Sequence, residues 1–171
     1  GDFTPGTLVL RLFNNTGSVI DQFDIQYELH VRNDQPRGNS FTFAHSADNV
    51  SFMPEPSLDY TSAALATGTA FFLAGTMNIS LRCINLQPGD FYYLRWNGAD
   101  VSGSLNRDEF ALDNIQVTAV PFSQPIYYSR NSGNQTTNLG TSTQLWATTS
   151  GGVGAAQWPL DQCANYVVQS G

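Results

Sequence analysis

The chain has 171 residues, of which 41% are hydrophobic and 12% charged, and its 14 acidic against 7 basic residues give a formal net charge of -7. Every basic residue is Arg, and the sparse cations argue against nucleic acid, whose phosphates are bound by clustered Lys and Arg, and against polybasic membrane binding. No run approaches the roughly 18 apolar residues of a spanning helix, and the length suits one core plus a small second unit.

Period-two patterning runs through the first two thirds of the chain. Leu8, Leu10 and Leu12 recur at every second position, and Asn14-Asn15-Thr16-Gly17 follows with residues that tolerate positive φ. This predicts a hairpin into the next strand. That strand, Phe23 to Arg32, places Phe23, Ile25, Tyr27, Leu29 and Val31 on one face and Asp24, Gln26, Glu28, His30 and Arg32 on the other, as in a half-buried antiparallel strand. Gln35-Pro36-Arg37-Gly38 is the next turn. Phe41 and Phe43 mark a third strand, with His45 in the same parity, closing near Ala47-Asp48-Asn49.

Met53 to Pro56 carries two prolines and reads as a break or an edge segment. Ser62 to Gly68 is Ala-rich and predicts one helical turn, too short to stand alone. Asn78 to Leu86 predicts a strand with Ile79, Leu81, Cys83 and Asn85 on one face. Gln87-Pro88-Gly89-Asp90 suits a type II turn. Tyr92, Leu94 and Trp96 then alternate against Phe91, Tyr93 and Arg95, with Trp96 expected in the core. The strand from Glu109 to Val120 switches apolar parity between Leu112 and Ile115, which predicts a bulge at Asp113-Asn114 or burial of both faces.

Short strands between Gly, Pro and Asn turns, with almost no helix, predict an all-β fold: an antiparallel β-sandwich of jelly-roll type with a β-rich, loop-rich C-terminal extension. Composition changes after Pro121, beyond which Arg130 and Asp161 are the charged residues. The expected organisation is therefore a sandwich over 1–121 and a tail or second unit over 122–171. Gly1-Asp2-Phe3-Thr4 has no basic and apolar leader, and the end of the chain reads as a strand and turn, so the sequence is expected to be a piece of a longer polypeptide.

Two resemblances add to this reading. Leu8 to Gly17, followed by Ile25-Gln26-Tyr27-Glu28, then Phe41 to Ser46, Leu86-Gln87-Pro88-Gly89, Tyr93-Leu94-Arg95-Trp96 and Phe110 to Val117, resembles a jelly-roll module of MAM and laminin-G type found in large secreted Bacteroidota surface proteins exported by the type IX system. The match spans about residues 7 to 119; Asn114 stands where that module has a second Asp, and the module normally has further strands before Thr7. Tyr127 to Asn134, Leu145-Trp146, Trp158-Pro159 and Tyr166-Val167-Val168 resemble the opening of repetitive β-rich regions in the same class of protein, with Gln135 where a Trp is usual. The resemblance implies an extracellular or cell-surface location, and a role in adhesion, structural spacing or carbohydrate contact.

The chemistry-bearing residues are few. Asp100, Asp108, Glu109 and Asp113 lie close together around Gly98 and Gly103, and hard oxygen ligands in such a loop suit Ca²⁺, the candidate cofactor. The alternative is a solvated acidic loop in which Asp113 accepts hydrogen bonds at the bulge. Glu28, His30 and Arg32 share a strand face; they offer acid/base groups, although an exposed sheet face gives the same pattern without function. No paired-carboxylate glycosidase motif, nucleophile elbow, zinc-protease helix or phosphate loop is present, so the chain is expected not to be an enzyme. Tyr93, Trp146 and Trp158 are the candidate ligand-binding aromatics, suited to flat sugar faces. Cys83 and Cys163 are the disulfide candidates, with two buried thiols as the alternative. Asn14, Asn49, Asn78 and Asn134 begin N-glycosylation patterns. Expected partners are a glycan or a cell-surface protein, with no nucleic acid, no membrane insertion and a capacity for self-association through sheet edges. Two other readings stand beside this one: an accessory domain of a secreted nuclease or glycosidase, and a filament or surface-layer subunit completed by strand exchange.

Overall fold

A computed structural model of the chain describes residues 6–121, together with the strands at 126–129, 146–147 and 165–167. The chain divides into two compact units, Gly1–Phe122 and Ser123–Gly171.

The first unit is an antiparallel sandwich. One sheet contains β1 (Thr7–Phe13), β3 (Arg37–Ser46), β4 (Met53–Pro54), β5 (Tyr60–Thr61) and β7 (Phe91–Gly103), in the order β1-β7-β3-β4, with β5 also paired to β3. The other contains β2 (Ile20–Arg32), β6 (Phe72–Leu81) and β8 (Glu109–Pro121), in the order β6-β2-β8. The long strands alternate between the sheets along the chain, which gives the jelly-roll character.

The core is built from the alternation in the sequence. Phe23, Ile25, Tyr27, Leu29 and Val31 of β2 face Phe41 and Phe43 of β3 and Tyr92, Leu94 and Trp96 of β7, all buried. Trp96 meets Tyr27 edge-on at 5.5 Å between ring centroids and Phe43 at 5.3 Å. Edge-to-face contacts of this kind align positive ring edges with negative faces.

The expected β1–β2 hairpin does not form: β1 pairs with β7, and β2 pairs with β6 and β8 in the opposite sheet. The reason is Asn14. Its amide nitrogen donates to the carbonyls of Ser18 at 2.8 Å and Leu86 at 3.0 Å, and its side-chain oxygen accepts from the Thr16 amide and hydroxyl. This closes a tight loop, with Gly17 at φ +74°, that carries the chain across the sandwich. Ile20 then exchanges backbone bonds with Leu86. Asn14 is 1% exposed, so the first of the glycosylation patterns is closed to modification in the folded chain.

The Ala-rich stretch is not helical either. The amides of Thr67 and Gly68 bond to the Asn33 carbonyl, and that of Ser62 bonds to Asn39, so its donors are used across the fold rather than along a helix turn. The helical turn lies instead at Pro56–Leu58, with Pro at its start. The strand read as Asn78 to Leu86 begins earlier and ends at Leu81. Cys83 and Asn85 take positive φ (59° and 49°), which breaks the alternation and removes Cys83 from the core face.

Other expectations match. Met53–Pro54 is an edge strand, where a missing N–H costs no ladder bond. At the Gln87–Asp90 turn, Gly89 has φ +89° and the Asp90 amide donates to Gln87. His45 is buried, with Nδ1 2.6 Å from the Tyr92 hydroxyl and Nε2 3.2 Å from Glu55.

The bulge in β8 falls at Asp113-Asn114. Gln26 pairs with Gln116 and Glu28 with Asp113, so β8 spends one residue more than β2 over this span. Asn114 takes φ 51°. An unbroken ladder would set Asp113 against buried Leu29 and point it inward; the extra residue turns it outward, opposite Glu28, and returns Leu112 and Phe110 to the apolar side.

In the second unit, β9 (Ile126–Ser129) pairs antiparallel with β10 (Trp146–Ala147) and parallel with β11 (Asn165–Val167).

Candidate functional site

The outer face of the β1-β7-β3 sheet carries the exposed aromatics Phe13 and Phe91 with the half-buried Tyr93 beside them. Register fixes it: Phe13 lies opposite Phe91, Arg11 opposite Tyr93, and Val9 opposite Arg95, with Ser46 and Ala44 flanking Tyr93 and Arg95 from β3. Strand alternation that sends Tyr92, Leu94 and Trp96 into the core sends these residues out. Phe13 and Phe91 sit 5.0 Å apart, and the Arg11 guanidinium lies 4.6 Å over the Phe91 ring. Arg95 lies 3.7 Å over Phe52. Phe13 is 53% and Val9 48% exposed. At the far end, the Thr7 hydroxyl donates to Asn97. The result is a cluster of aromatic rings with two guanidinium groups stacked on them, on an acidic protein. Tyr93 was legible as a candidate. Phe13, Arg11 and Phe52 were not, because they join it only through strand pairing and a neighbouring loop.

The four candidate calcium ligands have separate surroundings. Asp100 contacts Arg37 at 2.8 Å and Arg107 at 2.5 Å, and the Arg107 guanidinium, with Arg37 beside it, holds its carboxyl below the usual carboxylate range. Asp108 is buried, accepting from the Ser62 hydroxyl at 2.5 Å and the Gln35 amide at 3.3 Å. Glu109 faces Arg32 at 3.5 Å. Asp113 accepts from the Asn114 amide at 2.7 Å and lies in a group with Glu28 and His30, whose ligand atoms are all within 4.8 Å of one another. Asp100 and Asp108 are linked through Asn39, whose side-chain nitrogen donates to Asp100 and whose oxygen accepts from the Asp108 amide. Asp108 and Glu109, but not Asp100, border a cavity of about 400 Å³, with Leu8, Phe41 and Phe110 as its apolar wall.

Trp146 belongs to β10, its side chain lying outside the described residues, as does the whole of Trp158. Cys83 is disulfide-bonded, and Cys163 lies outside the described residues. No helix among the described residues is long and apolar enough to cross a membrane.

No family model matches the chain, and no curated protein matches it. Among solved structures, a chain in the structure of infectious bursal disease virus Gt strain is similar at a TM-score of 0.36 and 11% identity, over 70% of this chain and 34% of that chain. This chain therefore spans about a third of the length of that one.

Proposed function

We propose that the chain is a non-catalytic extracellular module of a bacterial cell-surface protein and that it contacts carbohydrate through the outer face of its β1-β7-β3 sheet. The observation that carries this reading is the row of exposed Phe13 and Phe91 and half-buried Tyr93, with Arg11 paired opposite Tyr93 and its guanidinium over Phe91. Sugars present flat C–H faces that stack on rings, and guanidinium groups donate to their oxygens. An exposed apolar group of this kind rimmed by polar residues is characteristic of interaction surfaces. The sequence contributes the absence of catalytic motifs, the low charge and the resemblance to secreted surface modules. The test is a glycan array probed with the whole chain and with Tyr93→Ala and Phe91→Ala. Binding that falls by roughly 3- to 10-fold in each variant supports the reading, on the scale of losing one aromatic contact. A chain that retains no glycan, or variants that bind as well as the original, overturns it.

A second reading is self-association through β1. Among the described residues this strand is an edge, with β7 as its single ladder partner and Leu8, Val9 and Phe13 exposed, and such edges accept further strands. Light scattering across a concentration series separates the two: a monomer at all concentrations removes self-association.

A further inference from the structure

The outer face of the other sheet carries a different chemistry, independent of the aromatic surface. Glu28 and His30 stand two residues apart on β2, on the same side, and the β8 bulge sets Asp113 directly across from Glu28. Residues at i and i+2 of one strand and a cross-strand neighbour make a triangle of side chains rooted about 5 to 7 Å apart. Here the triangle converges at its tips, with all three ligand atoms within 4.8 Å of one another and His30 Nε2 3.3 Å from Glu28 Oε2. Bonds of about 2.0–2.2 Å set tetrahedral donors roughly 3.3–3.6 Å apart, so side-chain rotations that draw the group together by about 1 Å would seat one ion.

The surroundings favour a cation. Two carboxylates are brought together here with no Arg in the group, because the nearby Arg32 is engaged by Asp34 at 2.5 Å and Glu109 at 3.5 Å. Asn114, held at φ 51° by the bulge, donates its side-chain amide to Glu28 at 3.0 Å and fixes that carboxylate. His30 is flanked by Ala111 on β8 and Leu73 on β6, and Glu28 by Thr76 on β6, so no charged cross-strand neighbour other than Asp113 adjoins the group. Glu28 and His30 are 30% and 29% exposed, so the donors are partly shielded and still reachable.

We propose that Glu28, His30 and Asp113 form a Zn²⁺ site on the outer face of the β6-β2-β8 sheet. One imidazole nitrogen and two carboxylate oxygens make a mixed donor set that suits a borderline ion; Ca²⁺ prefers six or more oxygens and gains nothing from His30. Three protein ligands leave the remaining coordination positions for water or for a donor from a partner molecule. Of the four acids that the sequence suggested for calcium, only Asp113 belongs to this site.

The test is calorimetric titration of ZnCl₂ into the whole chain after removal of metals with EDTA and dialysis, repeated with His30→Ala and Asp113→Asn, with circular dichroism checking that each variant folds. Both changes are at partly or fully exposed side chains. The proposal expects one equivalent of Zn²⁺ bound, a loss of at least about 10-fold in affinity in each variant, and no comparable binding of CaCl₂. A second readout is selective loss of the His30 ring resonances on adding Co²⁺. No Zn²⁺ binding, Zn²⁺ binding unchanged in both variants, or Ca²⁺ binding as tightly as Zn²⁺ overturns the proposal. None of these outcomes bears on the aromatic face, which the glycan test addresses separately.

Discussion

Replacing Asn14 tests the crossing between the two sheets. Its side chain makes four hydrogen bonds, two donated to the carbonyls of Ser18 and Leu86 and two accepted from Thr16. A typical bond contributes about 0.5–1.5 kcal/mol net, and more when a buried partner is left alone. Here the two carbonyls keep another donor each: Leu86 retains the Ile20 amide at 3.0 Å, and Ser18 retains the Thr16 hydroxyl at 3.1 Å. The total therefore falls in the lower half of the summed range, and Asn14→Ala is expected to cost about 2–4 kcal/mol. Asn14→Asp is the sharper variant. It keeps the two acceptor bonds to Thr16 but turns a carboxylate toward two carbonyl oxygens, so it should destabilise at least as much as Ala. Urea unfolding at pH 7, with an unchanged slope, measures both. A loss below about 0.5 kcal/mol in Asn14→Ala, set against the expected bond energies, would refute the argument. A neutral Asn14→Asp would show that the local turn to Thr16, and not the tie to Leu86, matters.

Two further predictions follow from the core and its rim. Burial, with Glu55 adding to it, pushes the Tyr92 hydroxyl up to about 12; because the folded value lies above the unfolded one of 10.0, stability is fully present below pH 10 and falls between pH 10 and 12. Tyr92→Phe should lose about 1 kcal/mol at pH 7 with its bond to His45 and show a shallower decline across that alkaline window, measured by urea midpoints at each pH. Gly103 sits at φ +80°, where an added Cβ would run into the Pro36 carbonyl and approach Arg37 Cα at 3.0 Å. Gly103→Ala should therefore cost more than the ~1 kcal/mol expected of glycine's backbone preference alone; a thermal midpoint equal to that of the unaltered chain would contradict the close packing of the Pro36 turn.

Much of the fold was legible because alternation is a local signal. Phe23 to Val31, Phe41 with Phe43, and Tyr92 with Leu94 and Trp96 each declare a buried face within a single strand. The parity switch at Leu112 and Ile115 likewise marks the bulge, since an apolar residue must return to the same side after an extra position. Partner choice was not legible. Asn14-Asn15-Thr16-Gly17 carries a hairpin signal, yet a carbonyl seventy-two positions away captures the Asn14 amide and redirects the chain. The Ala-rich stretch carries helical propensity, yet Asn33 and Asn39 take its amides.

The same division holds for the sites. Sequence by itself determined an all-β chain, poor in charge and lacking Lys, with Tyr93 outward and Trp96 inward, because side-chain direction in a strand depends only on parity. Tertiary structure decided which outward residues meet. It set Phe13 and Arg11 beside Phe91 and Tyr93, dispersed three of the four clustered acids onto Arg and Ser partners, and joined the fourth, Asp113, to Glu28 and His30 across two strands far apart in the chain. Pairing between distant strands is fixed by which faces must be buried together, and no local pattern encodes that register.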